Sequence, residues 1–245
     1  MTGPSFTDTP QKRRIAFHRT EGGGPGVVFL GGFRSDMEGT KALHLEAWAK
    51  DRGRAFLRFD YSGHGQSGGR FEEGAIGDWA EDAEAALALT EGPQVLVGSS
   101  MGGWLSLLLS KRRPERIKGL VLIAAAPDFT EDSYWNAWSD VLKAKLKREG
   151  RVAVPSDYGE PYMITKRMIE DGRAHLVLRA PLELPFPVRM LQGTADSAVT
   201  EATALRLLHH ASCDDLSLTL VKGADHRFSA PAELARIVRA VEDVS

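Results

Sequence analysis

Residues 98–102 read Gly-Ser-Ser-Met-Gly and fit the pattern G-x-S-x-G, with Ser100 at the centre. The apolar run 94–98 leads into this pattern, and a second apolar run follows from Met101. Small flanking residues permit a strand-to-helix turn sharp enough to expose the central hydroxyl. A serine in such a turn is suited to attack a carbonyl carbon. The alternative is a glycine turn that only packs a strand against a helix.

A serine hydroxyl needs a base to take its proton, and the chain offers a carboxylate and an imidazole in a suitable order. Asp196 follows the apolar run 188–191, and His226 follows the run 216–221. We predict that Asp196 orients the imidazole of His226 and stabilises its cation. The other imidazole nitrogen would then take the proton of Ser100.

Each of these assignments has an alternative. Asp196 is also a candidate cap for the helix that follows it, and His226 is also a candidate surface histidine. Asp225 is a second candidate for the acid, although a side chain next to His226 would usually point away from it. His64, in the stretch DYSGHGQSGG, follows another predicted strand and is a candidate for the mouth of the site. We favour a structural glycine-rich turn there, anchored by Asp60.

The tetrahedral intermediate of acyl transfer carries a negative oxygen that needs hydrogen-bond donors. In this type of turn the first donor is the backbone N–H of the residue after the nucleophile, here Met101. The second is expected from the loop after the predicted strand 27–30, where the sequence reads GGFRSD. The two glycines permit an irregular backbone, and we predict that the N–H of Phe33 is the second donor. An ordinary turn is the alternative.

The elements that would position these residues alternate along the chain. Short β-branched or apolar runs predict strands at 14–18, 27–30, 55–59, 94–98, 120–124, 188–191 and 216–221. Helical patterns occur at 40–51, 76–90, 101–111, 197–210 and 231–244. Continuous apolar strands spaced by helices indicate a parallel sheet buried on both faces, which binds ligands beyond its carboxyl ends. We predict one α/β domain over residues 1–245.

Residues 127–180 separate two predicted strands by far more than an ordinary crossover. Trp135, Trp138 and other apolar residues recur there at near-helical spacing, and a second helical pattern covers 164–171. We predict a helical lid within the domain, because the loop after that strand opens on the face that carries the site. A helical insertion remote from the site is the alternative.

Substrate contacts are expected from the lid and from the oxyanion loop. The lid offers Trp135, Trp138, Tyr158, Tyr162, Met163 and Ile164. These side chains line an acyl pocket or form the core of the lid itself. The lid also has a basic stretch, with Lys143, Lys145, Lys147, Arg148 and Arg151. This stretch is a solvated helix face or attracts an anionic leaving group. Arg34 is a further candidate for contact with an anion.

The composition excludes several classes of protein. The chain has 245 residues and a net charge of −2, so it has no global field for nucleic acid. The single cysteine cannot form an internal disulfide, and no zinc-type cluster is present. No run approaches the roughly 20 apolar residues of a membrane span, and the first residues look unlike a signal or transit peptide. We therefore expect a cytoplasmic protein without metal, organic cofactor, nucleic-acid partner or integral membrane contact.

Several stretches together resemble one group of α/β-hydrolases. They are GGFRSDMEGTKALHLEAWAKDRGRAFLRFDYSGHGQSGG, EGPQVLVGSSMGGWLSL, PFPVRMLQGTADSAV, KGADHR and the lid segment PSDYGEPYMITKRMIEDG. They are similar to the mitochondrial α/β-hydrolase-domain enzymes, palmitoyl-protein thioesterases that also act as mycophenolic acid acyl-glucuronide esterases. The resemblance runs from about Gly26 to the last helix. It implies an α/β-hydrolase fold with Ser100, Asp196 and His226 as nucleophile, acid and base.

The expected activity is acyl transfer to water by a carboxylesterase or thioesterase. Its substrate would be a small-molecule ester or acyl thioester, or an acylated protein. Two other functions stay open. An aminopeptidase-like hydrolase would hold a substrate amine on acidic lid residues, for which the candidates are Glu131, Asp132, Asp157 and Glu160. The other is a ligand-binding member of the fold without catalysis.

Overall fold

The computed structural model describes residues 3–155 and 161–245. In chain order its strands are β1 (Ser5–Asp8), β2 (Arg14–Thr20), β3 (Gly23–Leu30), β4 (Arg54–Phe59), β5 (Gln94–Ser99), β6 (Ile117–Ile123), β7 (Arg151–Val154), β8 (Tyr162–Thr165), β9 (Leu182–Glu183), β10 (Val188–Gly193), β11 (Ala211–Ser212) and β12 (Leu216–Val221). Its α-helices are α1 (Thr40–Asp51), α2 (Ile76–Leu87), α3 (Met101–Arg112), α4 (Asp140–Glu149), α5 (Lys166–Ala174), α6 (Glu201–His210) and α7 (Pro231–Asp243).

The main sheet has eight strands in the order β1-β2-β4-β3-β5-β6-β10-β12. Strands β1 and β2 pair antiparallel, and β2 is antiparallel to β4. From β4 to β12 every neighbouring pair is parallel. The carboxyl ends of these six strands therefore share one edge, as the sequence predicted for a mostly parallel α/β sheet.

Both faces of the sheet are buried, since successive side chains of a strand point to opposite sides. In β3, Val28 and Leu30 join an apolar cluster with α2, α3, α6 and part of the segment 127–180. Val27 and Phe29 join a second cluster, under α1 and α7. Burial on both faces explains why the central strands are apolar without polar alternation.

The structure differs from the sequence prediction at the edge of the sheet and in the segment 127–180. Strand β1 was not predicted because it is short, largely exposed and mostly polar. The segment 127–180 contains α4 and α5, but also an antiparallel hairpin of β7 and β8. A π-helical turn, Thr130–Trp135, precedes α4. Among the described residues, no helix is both long and apolar enough to cross a membrane.

Candidate active site

The shared edge of the parallel strands gathers the residues singled out in the sequence. Strand β5 ends directly before Ser100, and β3 ends three residues before Phe33. Asp196 lies in the loop after β10, and His226 lies in the loop after β12. The segment 127–180 leaves the sheet after β6, between these loops. Parallel topology alone therefore brings residues from four distant parts of the chain to one place.

Ser100 occupies a strained turn between β5 and α3. Its backbone angles are φ +55° and ψ −117°, a conformation that costs a residue with a side chain about 1–3 kcal/mol. The turn is held on both sides: the N–H of Ser100 donates to the Ile123 carbonyl over 2.9 Å, and its carbonyl accepts from Gly103 at 2.9 Å and Ala126 at 3.1 Å. The surrounding backbone thus fixes the orientation of the serine.

Neighbouring glycines leave no room for side chains. A Cβ at Gly98 would lie 2.4 Å from the carbonyl oxygen of Gly102. A Cβ at Gly102 would lie 2.1 Å from the carbonyl oxygen of Leu30. These contacts are with backbone atoms, which cannot rotate away. The glycines of the G-x-S-x-G pattern therefore allow β3, β5 and α3 to approach closely.

Gly102→Ala is expected to destabilise the protein by about 1–3 kcal/mol or more, because the new methyl group overlaps the Leu30 carbonyl. The measurement is the urea midpoint of unfolding. Gly23→Ala is a matched control, since its Cβ would have no neighbour closer than 3.8 Å. Its midpoint should stay within about 0.5 kcal/mol of the wild type. Equal stability of the two variants would contradict the close packing of the turn.

The imidazole of His226 lies between the serine and the carboxylate. Its Nε2 is 3.1 Å from the Ser100 Oγ, and its Nδ1 is 2.9 Å from the Asp196 Oδ2. Because an ionised carboxylate only accepts hydrogen bonds, Nδ1 carries the proton and Nε2 is left to accept from the serine hydroxyl. The arrangement can activate a serine for attack on an acyl carbon.

Asp196 is held ionised by its surroundings. Burial alone would raise the pKa of its carboxyl group, but hydrogen bonds from His226 and from the Val199 N–H outweigh burial and keep this pKa below its ordinary value. Oδ1 accepts from the N–H groups of Ala198 at 2.9 Å and Val199 at 2.8 Å. Oδ2 accepts from His226 and from Gln192 Nε2 at 3.1 Å. Asp196 therefore caps the following turn and binds the histidine with separate oxygens.

The other candidate acid points away from the histidine. Oδ1 of Asp225 accepts from the N–H groups of Arg227 and Phe228, at 3.0 and 3.2 Å, and so closes the turn that carries His226. A carboxylate in this position shapes the loop.

The loop after β3 approaches Ser100 through its glycines. A Cβ at Gly32 would lie only 3.4 Å from the Cβ of Ser100. Within the described ranges, the N–H groups of Phe33 and Met101 have no protein acceptor. Backbone N–H groups without a protein acceptor near a serine can serve as the donors of an oxyanion hole.

A cavity of about 380 Å³ opens beside the serine and histidine. Of the proposed substrate contacts, Arg34 and Tyr162 line it, and Trp135 and Trp138 are not among the lining residues that the structure describes. The guanidinium of Arg34 lies 5.5 Å from the Phe71 ring centre and 5.8 Å from that of Tyr162.

The two tryptophans lie elsewhere in the segment 127–180. The Trp135 ring faces three cations, Arg173 at 4.4 Å, Lys143 at 5.5 Å and Lys147 at 5.6 Å. Trp138 stacks on Tyr134, with ring centres 5.6 Å apart. Tyr158, Asp157 and Glu160, which the sequence also suggested, lie outside the described residues.

Three residues of the site were not assigned to it from the sequence. Gln192 is buried and donates to Asp196; a polar residue closing the apolar run VRMLQG was the available signal. Lys41 lines the cavity, and its Nζ donates to the carbonyl of Arg227. His64 Nε2 accepts from the N–H of Arg34 at 3.1 Å. No local pattern reveals the last two contacts, because their partners are distant in sequence.

The sheet is mostly parallel, a strained serine follows its fifth strand, and an acid and a histidine follow later strands. These features define an α/β-hydrolase of the serine type. Comparison with known proteins shows which family of α/β-hydrolases is similar to this chain. The sequence model of the family described as "Serine aminopeptidase, S33" matches residues 26–168. The chain belongs to this family of α/β-hydrolases.

The chain is also similar to curated proteins that share one more specific name. The chain is 35% identical to "Palmitoyl-protein thioesterase ABHD10, mitochondrial" from Bos taurus, over 99% of this chain and 80% of that protein. The Homo sapiens protein of the same name matches with the same identity and coverage. These relatives confirm the predicted resemblance. Family membership confirms that the chain is an enzyme, a hydrolase of the esterase and thioesterase type.

Solved structures agree with this assignment. An Agrobacterium vitis S4 protein superposes with a TM-score of 0.94 at 39% identity, covering 98% of each chain. The α/β-hydrolase domain-containing protein 10 from mouse superposes with a TM-score of 0.92 at 33% identity, covering 99% of this chain and 98% of the other. The predicted α/β-hydrolase fold is confirmed. The expected cytoplasmic location is wrong, because the ABHD10 relatives are described as mitochondrial.

Proposed function

We propose that the chain hydrolyses carboxylic esters and thioesters through an acyl-enzyme on Ser100. The observation that carries the proposal is the continuous hydrogen-bond chain from the Ser100 hydroxyl through His226 to Asp196. Such a chain lets the imidazole take a proton while the buried carboxylate stabilises the resulting cation. The strained turn keeps the hydroxyl exposed to the cavity.

The reaction would run in two halves. In the first, Ser100 Oγ bonds to the acyl carbon as His226 takes its proton, and the tetrahedral oxyanion accepts from the Phe33 and Met101 N–H groups. The carbon–oxygen or carbon–sulfur bond then breaks, and His226 returns the proton to the departing alcohol or thiol. In the second half, water repeats the attack with His226 as base. The acyl–serine bond breaks, releasing the carboxylic acid and the free serine.

We propose further that residues 127–180 act as the lid of this site within a single domain 1–245. Tyr162, at the start of β8, belongs to the cavity wall. The two ends of the segment are joined at Asp128, which accepts from the N–H groups of Val177 and Leu178 and from Arg179. These contacts place both the start and the end of the segment at one buried carboxylate.

The charges around the cavity favour a substrate with a negative group. Arg34, Lys41 and Arg227 line it, against the single acidic residue Asp36 among its described lining residues. Burial lowers the pKa of Lys41 to about 8, despite the opposing charges of Asp225 and Glu233. Its ammonium group therefore remains mostly charged at neutral pH. We propose an acyl ester or thioester whose leaving group carries a carboxylate, with Arg34 as the nearest exposed partner.

Arg34→Met is expected to raise KM about tenfold for an acyl glucuronide and to change KM little for the methyl ester of the same glucuronide. The two substrates differ only in the carboxylate, and methionine keeps an unbranched apolar stem but lacks the guanidinium. Steady-state kinetics on both substrates provide the measurement. An equal change in KM for the acid and its methyl ester would contradict the anion contact.

Aminopeptidase activity is the second candidate, because the description of the matched family names it. Of the acids proposed to bind a substrate amine, the two that the structure describes are engaged in ion pairs. Asp132 pairs with Arg179 and Arg206, and Glu131 pairs with Arg173. Leucine p-nitroanilide, tested beside p-nitrophenyl butyrate, distinguishes the two activities; faster turnover of the anilide would favour the second.

A further inference from the structure

The oxyanion loop contains a strained residue that is not the nucleophile. Arg34 has φ +56°, in the left-handed region that a residue with a side chain rarely adopts. Such a conformation persists only where the surrounding structure determines it. On one side the loop is closed by Ser35, whose N–H and Oγ both donate to the Gly32 carbonyl, over 3.2 and 2.8 Å. On the other side the backbone N–H of Arg34 donates to Nε2 of His64, over 3.1 Å.

His64 is bound at both ring nitrogens. Its Nδ1 lies 3.2 Å from the carbonyl oxygen of Ser62, which only accepts, so Nδ1 carries the proton. Nε2 faces the N–H of Arg34, which only donates, so Nε2 is unprotonated. Burial lowers the pKa of His64 to about 4 against the opposing hydrogen bond to the Ser62 carbonyl, with a smaller contribution from the charge of Arg34 in the same direction as burial. The ring is therefore a neutral acceptor of fixed tautomer.

One aromatic cluster fixes both His64 and the loop. The His64 ring packs at 5.2 Å, edge to face, against both Phe71 and Trp79. The ring of Phe33 packs against the same two side chains, at 4.9 and 5.9 Å, and against Tyr162 at 5.4 Å. The side chain of Phe33 and the N–H of Arg34 are thus anchored to one rigid group. Between these two anchors lies the backbone that presents the Phe33 N–H.

We propose that His64 is a positioning residue for catalysis, which holds Arg34 in its left-handed conformation and so directs the N–H of Phe33 at the oxyanion. The inference rests on the proposed function, in which Phe33 is the second donor. Among the described residues, His64 does not line the cavity and has no hydrogen bond to Ser100, and it acts through the backbone of Arg34, which does line the cavity. Without this acceptor, Arg34 can relax to negative φ and the Phe33 N–H turns away.

His64→Phe separates the hydrogen bond from the packing, because phenylalanine suits the aromatic cluster but cannot accept. We expect kcat for p-nitrophenyl butyrate to fall about 30–100-fold with KM within about threefold, since one oxyanion donor is misdirected rather than removed. His64→Gln, which can accept, should recover at least a third of the lost activity. His209→Phe, an exposed histidine on α6, is the control and should keep wild-type turnover.

Inhibitor binding distinguishes a misdirected oxyanion donor from a general loss of rigidity in the site. Affinity for a butyl trifluoromethyl ketone, which forms a tetrahedral adduct, should fall in parallel with kcat in His64→Phe. Affinity for butyrate, which needs no oxyanion hole, should stay within about threefold. Adding Arg34→Gly to His64→Phe should restore part of kcat, because glycine adopts positive φ without strain. Unchanged kcat and ketone affinity in a folded His64→Phe protein would overturn the inference.

A measurement on the wild type keeps the test independent of how the variants fold. Nitrogen-15 NMR of the histidine rings at pH 7 should show His64 as the neutral tautomer protonated at Nδ1. Protonation at Nε2 would overturn the inference. Ser100→Ala distinguishes a failure of the proposed function from a failure of the role of His64. If turnover survives Ser100→Ala, the proposed function fails; if it is lost while His64→Phe keeps full kcat, only the role of His64 fails.

Discussion

Replacing Ser100 with alanine is expected to lower kcat for short p-nitrophenyl esters by about 10⁵–10⁶-fold, to the background of the assay. The hydroxyl oxygen is the atom that bonds to the acyl carbon, and no other nucleophile lies in hydrogen-bond reach of His226 among its described contacts. Substrate binding should change little, because alanine removes a single oxygen from the cavity wall. Burst kinetics and labelling by a fluorophosphonate should disappear together.

The control for this variant is Ser110→Ala, the same chemical change inside the helix that follows Ser100. Its hydroxyl only donates to the Ser106 carbonyl, so turnover should remain at the wild-type level. Ser100→Gly adds a structural check. It should be as inactive as Ser100→Ala but more stable by about 1 kcal/mol, because glycine adopts φ +55° without strain. Hydrolysis that survives both substitutions at Ser100 would exclude the serine mechanism.

The second large effect is expected for Asp196→Asn, which should lower kcat about 10⁴-fold. Asparagine Oδ1 can still accept from the N–H groups of Ala198 and Val199, so the turn should remain capped. Its NH₂ group would face Nδ1 of His226, which must then accept. The proton moves to Nε2, and the imidazole can no longer take the proton of Ser100. The variant should stay folded with the wrong tautomer.

Stability against pH provides a check on Asp196 itself. Its pKa is lower in the folded protein than in the unfolded chain, so its carboxylate stabilises the fold above the ordinary aspartate pKa. This contribution is lost as the pH falls through the folded pKa. The wild type should therefore lose more stability than Asp196→Asn on going from pH 5 to pH 3, as followed by thermal unfolding.

Asp225→Asn is the matched control for catalysis. Its side chain accepts only from backbone N–H groups of its own loop, and asparagine can do the same. We expect kcat within about threefold of the wild type. A loss of about 10⁴-fold in Asp225→Asn, with near-normal activity in Asp196→Asn, would transfer the role of the acid to Asp225.

The strands of the sheet and the turn at Ser100 follow from local patterns. Apolar runs of strand length predicted seven of the eight strands of the main sheet, and burial on both faces makes this signal continuous in central strands such as β5. The turn was predicted because close approach of backbone atoms requires Gly98 and Gly102, whatever the rest of the chain does. The expected cytoplasmic location was wrong, because a location in the cell is not determined by strand periodicity or by close backbone contacts.

The segment 127–180 shows where local patterns were insufficient. Its β7–β8 hairpin pairs two runs of four residues, too short to be told from helix by periodicity. Trp135 and Trp138 have a spacing that suits either a pocket wall or lid packing, and only contacts with Arg173, Lys143 and Tyr134 show their surroundings. Burial of apolar area stabilises an aromatic side chain in the interior but does not select one partner. The location of such a side chain therefore depends on the assembled fold.

By itself, the sequence determined the class of fold, the strained serine and the order in which an acid and a histidine follow it. These features depend on strand periodicity, on glycine and on chain order, all of which can be read directly from the sequence. Only the tertiary structure decided that Asp196 rather than Asp225 reaches His226, and that His64 binds the backbone of Arg34. Hydrogen bonds need atoms within about 3 Å, and residues distant in sequence reach that separation only when the sheet is complete.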